Sequence, residues 1–245
     1  LGGKYFIIGF LETGGFMASE KSGSPRGLPL TFIGGVLLLV MLIVSAVSIL
    51  GAVLLYTSFP LKPYPVHFLG IKLLPNVWIP APNFGYEVFT SFISDLGVGP
   101  SSFIFNTGMI ISGVLAVLVF PTLLRPLGNT GKAKIGVAFG IIAGVGLAGV
   151  GAFPENTGFY HVLFASIFFI SIFIAAGALS YANESTSFFS KTVQRLGYFV
   201  FPAGLVCTGL ILIFGPPPEW VLLLLLLIWA LPLSIEMLAK GNRLQ

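Results

Sequence analysis

The stretch LTFIGGVLLLVMLIVSAVSILGAVLLYT, residues 30–57, contains no charged side chain. A helix that crosses a bilayer needs about 20 mostly apolar residues, and this stretch is longer than that. Five more segments of this kind follow, at 102–124, 133–153, 159–182, 196–214 and 220–239. Because a backbone in lipid must satisfy its own hydrogen bonds, and because the runs are continuous rather than alternating, they are predicted to be helices and not barrel strands.

The composition supports the same class of protein. Of the 245 residues, 56% are hydrophobic and 8% are charged, whereas soluble domains are about one quarter charged. We therefore predict an all-α integral membrane protein, a six-transmembrane-helix bundle that is multi-pass in the cell membrane. The formal charge of +4 does not indicate nucleic-acid binding, because the basic residues are scattered. Two histidines and one cysteine cannot form a three-histidine or cysteine-rich metal centre, so no metal or cofactor is predicted.

Charged residues in the connections predict the orientation. Lysines and arginines fall in the leader, in the 125–134 and 183–195 connections and in the tail, whereas the alternate connections hold only Lys62 and Lys72. The positive-inside rule then places both termini in the cytoplasm. The predicted division is a polar leader at 1–27, a six-helix domain at 28–240 with an outer loop at 58–101, and a cytoplasmic tail at 241–245.

On this topology four acidic residues lie outside: Glu87, Asp95, Glu155 and Glu219. The part of the outer loop at 86–97, YEVFTSFISDLG, has a helical period with one apolar and one polar face. We predict a short amphipathic helix before helix two that lies along the outer interface and ends at Gly97. The alternative is a lid that only caps the bundle.

Four polar residues are expected at similar depth on the outer face. Asp95 precedes helix two, Asn106 lies one turn into it, Glu155 lies in the turn between helices three and four, and His161 lies one turn into helix four. With Ser94 they are the predicted ligand-binding residues. A short connection makes helices three and four antiparallel neighbours, which places Glu155 near His161. The direction of the resulting pKa shift of His161 stays open, because a carboxylate raises it and a helix N-terminus lowers it.

Three interpretations of these residues remain open. Glu155 can be a solvated turn residue while His161 bonds a backbone carbonyl. The cluster can bind a lipid headgroup or small ligand. It can also be hydrolytic, with Asp95 or Glu155 as base, His161 as acid or base, and a serine (Ser91, Ser94 or Ser102) as nucleophile.

Helix three contains Gly136, Gly140 and Gly144 at four-residue spacing. Small residues let helices approach closely in a membrane, so the glycines predict either packing within the bundle or a homodimer seam. Ionisable groups are nearly absent at mid-membrane depth, which argues against an ion-coupled transporter. Glu236 and Lys240, four residues apart, are predicted to form an ion pair.

The ordered motifs resemble a family of prokaryotic membrane proteins, domain of unknown function 998 (DUF998). The resemblance covers about 30–240. It is carried by two stretches, FISDLGVGPSSFIFNTGMIISG at 92–113 and VGAFPENTGFYHVLFASIFF at 150–169. The matching positions are Ser94, Asp95, Leu96, Gly97, Phe105, Asn106, Gly151, Phe153, Pro154, Glu155 and His161. The resemblance implies a six-helix protein and brings no activity with it.

Two functions follow as hypotheses. The first is a non-enzymatic membrane protein that binds membrane lipids, a small ligand or a membrane partner, for example as an accessory subunit of a larger complex. The alternative is a membrane-embedded hydrolase or transferase that acts on lipids or lipid-linked substrates.

Overall fold

Six long helices form the chain in this computed structural model, which describes residues 29–56 and 85–241 and the two short strands of a hairpin. The helices are α1 (Leu30–Leu55), α2 (Ser102–Val119), α3 (Gly131–Ala152), α4 (Phe159–Thr186), α5 (Lys191–Phe214) and α6 (Pro217–Gly241). A 3-10 turn, Phe120–Leu123, extends α2. The predicted spans are thus confirmed, with ends that differ by a few residues. The leader 1–27 and the last four residues lie outside the described part of the chain.

Each helix, with α2 counted together with its flanking 3-10 turns, is long and apolar enough to cross a membrane. The chain is therefore a multi-pass membrane protein. Each helix packs against its neighbours in sequence, and α1 also packs against α6, so the six close into a ring. Side-chain caps begin two of them: Thr130 Oγ1 accepts from Ala133 N at α3, and Ser190 Oγ accepts from Val193 N at α5.

The linker between α1 and α2 contains a small antiparallel hairpin, β1 (Val66–Phe68) and β2 (Ile71–Leu74), in which Phe68 pairs with Ile71. The prediction of a continuous amphipathic helix at 86–97 is wrong in extent. The structure has a turn at 88–90 followed by a five-residue 3-10 helix, Ile93–Gly97. All five residues of that helix are buried, so the segment packs into the end of the bundle instead of presenting a polar face.

The glycines of α3 pack inside the chain. A Cβ on Gly136 would overlap Leu179, one on Gly140 would overlap Phe120, and one on Gly144 would overlap Val117 and the Gly113 carbonyl. Such close approach is the main packing device between helices in lipid. Bundle packing therefore accounts for all three glycines, and the homodimer seam stays a prediction.

Replacing Gly113 of α2 with valine should destabilise the fold. Its Cβ would overlap the Ala148 nitrogen and the Gly144 carbonyl, which are backbone atoms of α3 and cannot rotate away. Overpacking of this kind typically costs about 1–3 kcal/mol. Thermal unfolding in detergent measures the loss. The control is Gly209→Val on α5, where a Cβ meets nothing within 4 Å; equal losses in the two variants would contradict the α2–α3 packing.

The two ends of the bundle differ in charge. Within residues 29–56 and 85–241, all six lysines and arginines lie at one end: Arg125, Lys132, Lys134, Lys191, Arg195 and Lys240. At that end Lys240 Nζ lies 2.9 Å from Glu236 Oε2, which confirms the predicted ion pair. Asp95, Glu155 and Glu219 lie at the opposite end, which we call the acidic end.

Candidate functional site

Carboxylates from other parts of the chain hold the linker before α2 onto the acidic end. The backbone N–H of Ile93 donates to Glu219 Oε2 at 2.6 Å, and Glu219 lies in the first turn of α6. The Ser94 hydroxyl donates to Glu155 Oε2 at 3.3 Å, and Glu155 begins the 3-10 turn between α3 and α4. These bonds tie the linker to the turn between α3 and α4 and to the first turn of α6.

Asp95 and Glu155 form a buried acid pair. Asp95 is 2% exposed and Glu155 is 6% exposed, so Glu155 is not the solvated turn residue that one interpretation of the sequence allowed. Asp95 Oδ2 accepts from the Phe92 N–H at 2.8 Å. Among the residues described, no backbone N–H or hydroxyl reaches Asp95 Oδ1. The two carboxyls are close enough to influence each other's protonation, and a hydrogen bond between them requires a shared proton because ionised carboxylates can only accept.

The electrostatics favour that shared proton. Burial raises the pKa of Asp95, although the hydrogen bonds from Glu155 and the Phe92 N–H oppose the shift. Burial, the negative charge of Asp95 and the charge of Glu219 raise the pKa of Glu155 well above its ordinary value. Within 29–56 and 85–241 the lysines and arginines are all at the other end, so no cation from those segments counters the shift. Burial and mutual repulsion at the acidic end therefore favour the protonated form of a carboxyl in this pair.

His161 has one defined partner. Its Nδ1 lies 2.9 Å from the Phe153 carbonyl oxygen, and the ring is 6% exposed. A carbonyl can only accept, so Nδ1 carries the hydrogen and Nε2 of the neutral ring carries a lone pair. The sequence allowed a carbonyl bond at His161, and the structure shows it. Glu155 instead accepts from the Ser94 hydroxyl and interacts electrostatically with Asp95.

Asn106 fastens the end of the linker to α2. Its Nδ2 donates to the Gly97 carbonyl at 3.0 Å. Its Oδ1 is buried and has no partner among the described atoms. A Cβ on Gly97 would lie 2.7 Å from that oxygen, so Gly97 is needed for this close contact. Asn106 therefore faces the linker, and it does not line the cavity described next.

A cavity of about 230 Å³ opens between the helices, and we call it the central cavity. Its lining comes from α1, α2, α3, α4, α6 and the linker, and is overwhelmingly apolar. Three polar residues line it at the acidic end: Ser94, His161 and Glu219. Further along the bundle the lining includes Ser45, whose hydroxyl donates to Ser112 Oγ at 2.8 Å, and Trp229. The arrangement is a long apolar space with polar chemistry at one end.

Glu219 belongs to this site and was not predicted to. The sequence placed it on the same face as the other acids but gave no reason to bring the first turn of α6 beside the α1–α2 linker. That contact arises because α6 closes the ring against α1. The available signal was an acid directly before an apolar span, in PPPEW at 216–220.

The serine candidates do not form a nucleophile–base pair with His161. Ser94 Oγ is bonded to Glu155. The carbonyl of Ser91, not its hydroxyl, accepts from Tyr86, and Ser102 begins α2 without lining the cavity. Hydrolytic enzymes of the serine class need a hydroxyl within hydrogen-bond reach of the base. In the described residues no group of three or more His, Cys, Asp or Glu side chains is arranged to hold a metal ion.

Comparison with known proteins identifies the family. Residues 77–236 match the family described as "Protein of unknown function (DUF998)", and the chain belongs to that family. The match includes the linker from residue 77 onward, the acid pair, His161 and the first turn of α6. No curated protein and no solved structure matches the chain.

Proposed function

We propose that this DUF998 protein binds one apolar chain of a membrane amphiphile in the central cavity, with the polar head at the acidic end. The observation that supports the proposal is the cavity itself: an apolar space of about 230 Å³ that carries Ser94, His161 and Glu219 at one end. Ligand sites typically combine an apolar lining with a few convergent polar groups of this kind.

The shape of the cavity favours a chain over a compact ligand. Its lining runs along α4 from His161 to Ile172 and along α6 from Glu219 to Leu233. At 1.5 Å per residue these stretches span roughly 17 and 21 Å, which is more than half of a hydrocarbon core about 30 Å thick. A volume of about 230 Å³ spread over that length is narrow. A single extended hydrocarbon chain fits such a space better than a ring system.

The proposed orientation places the head in the outer half of the membrane. The described lysines and arginines at the end opposite the acid pair support a cytoplasmic position for that end under the positive-inside rule. Both termini then lie in the cytoplasm and the acidic end faces outward, in a cell membrane. An enzymatic alternative has less support, because Ser94 is bonded to Glu155 rather than to His161.

Trp229 provides a direct test of occupancy. It lines the central cavity and is only 3% exposed, so lipids around the bundle cannot contact it. In a Trp78→Phe/Trp220→Phe variant it is the single tryptophan, since the chain has three. We expect an oleyl-chain amphiphile brominated in mid-chain to quench its fluorescence in nanodiscs, because bromine quenches on contact.

An excess of the unbrominated amphiphile should restore the emission. The control is a Trp78→Phe/Trp229→Phe variant, which reports from Trp220, a residue that does not line the cavity. Trp229 emission that stays unchanged at saturating brominated amphiphile would overturn the proposal.

A further inference from the structure

We infer that the head held at the acidic end is an uncharged hydroxyl group, as in a long-chain alcohol or an acylglycerol, and that its O–H donates to Nε2 of His161. This inference rests on the proposed binding of an amphiphile in the central cavity. It adds the chemical class of the ligand and excludes the phosphate and carboxylate heads of common anionic lipids.

The first argument for a hydroxyl head is the hydrogen-bonding role of each polar residue that lines the cavity at this end. Nδ1 of His161 is committed as a donor to the Phe153 carbonyl, which leaves Nε2 as an acceptor. One oxygen of Glu219, Oε2, already accepts from Ile93 N. Ser94 donates its hydroxyl hydrogen to Glu155, so its oxygen can only accept from a ligand. Two of the three polar residues that line the cavity at this end, Ser94 and His161, thus present acceptors, and a ligand that supplies a donor fits them.

The second argument is that the site does not suit a negatively charged head. A carboxylate or a fully ionised phosphate head has no hydrogen to donate and would lie beside Glu219 and the Asp95–Glu155 pair. Within 29–56 and 85–241 every lysine and arginine is at the other end of the bundle. An anion would therefore lie in a buried, acid-lined site without a compensating cation from those segments.

The cost of desolvation favours an alcohol head over an amine head. An ammonium head would be attracted by the carboxylates, but it must lose its hydration in a cavity whose lining is mostly apolar. Burying an ion is far more costly than burying a hydroxyl that forms one hydrogen bond. An alcohol therefore suits the site better.

The test compares compounds that have the same oleyl chain and different head groups. Oleyl alcohol, oleyl methyl ether, oleic acid, oleyl phosphate and oleylamine compete with the brominated oleyl probe for quenching of Trp229. We expect the alcohol to bind about tenfold more tightly than its methyl ether, which lacks the donor, since one buried hydrogen bond is of that order. The acid and the phosphate should bind more weakly than the ether.

His161→Asn tests the assigned atom. An asparagine amide can keep the bond to the Phe153 carbonyl but has no acceptor at the position of Nε2. The variant should stay folded, still bind the ether and lose the preference for the alcohol. A tenfold preference that persists in the folded variant would overturn the role of Nε2.

The outcomes separate the two proposals. If no oleyl compound changes Trp229 emission, cavity binding itself fails. If the ether competes but the acid, phosphate or amine binds as tightly as the alcohol, the cavity is a chain-binding site and the hydroxyl assignment is wrong.

Discussion

Replacing Ala165 with phenylalanine should abolish amphiphile binding while leaving the bundle folded. Ala165 lies on α4 and lines the central cavity one turn beyond His161. An apolar cavity of roughly 150 Å³ accommodates a benzene ring, so a phenyl ring at this position would obstruct a narrow cavity of about 230 Å³. We expect affinity for the brominated probe, read from Trp229 quenching, to fall at least tenfold, because the chain must pass the ring to reach Trp229.

The matched control is Ser166→Phe. Ser166 is the next residue of α4 and is absent from the cavity lining, because successive helical residues point about 100° apart. The two variants gain a ring of the same size in the same turn of the same helix. The control should bind the probe as the parent does, and both should elute as monodisperse protein. Quenching that survives in Ala165→Phe would show that the probe reaches Trp229 by another route and would contradict the proposed position of the chain.

The spans were predictable because burial in lipid imposes a long uncharged run on each helix. The boundaries of α1 at Leu30–Leu55, against the predicted 30–57, show how closely that signal follows the structure. The charge pattern likewise separated the two ends, and four-residue spacing was enough to predict the Glu236–Lys240 pair. Each of these features depends on residues that are near one another in sequence.

The site was only partly predictable because it depends on contacts across the ring. Asp95 and Glu155, predicted only to lie at similar depth, come together because the linker folds over the end of the bundle. The 86–97 helix was mispredicted because its polar residues are satisfied inside the fold: Asp95 accepts from the Phe92 N–H and so stabilises a short 3-10 turn. Local periodicity cannot reveal that such a residue has a buried partner. The cavity has no sequence signal, because apolar residues that line a space and those that fill one are the same types.

Raising the pH should destabilise the protein, and Glu155→Gln should weaken that dependence. Burial and the nearby acids raise the pKa of Glu155 well above 4.5, and burial also raises that of Asp95. A carboxyl whose pKa rises on folding favours the folded state fully below its unfolded pKa, and the contribution is lost as the pH climbs through the folded pKa. Between those two values one such carboxyl reduces the free energy of unfolding by about 1.4 kcal/mol per pH unit.

The measurement is the unfolding temperature in detergent across acidic to alkaline pH. In a chain of this size each kcal/mol of unfolding free energy shifts the unfolding temperature by roughly 2–4 °C. The fall in the parent's unfolding temperature should therefore be measurable. Glutamine is uncharged and its amide can donate to Asp95, as a protonated Glu155 does. Glu155→Gln should therefore lose less stability at high pH and exceed the parent there. Glu87→Gln is the control, since Glu87 is exposed and bonds only Thr90 among the described side chains; it should follow the parent curve. An identical fall in Glu155→Gln would mean that the shared proton at the acidic end contributes nothing to folding.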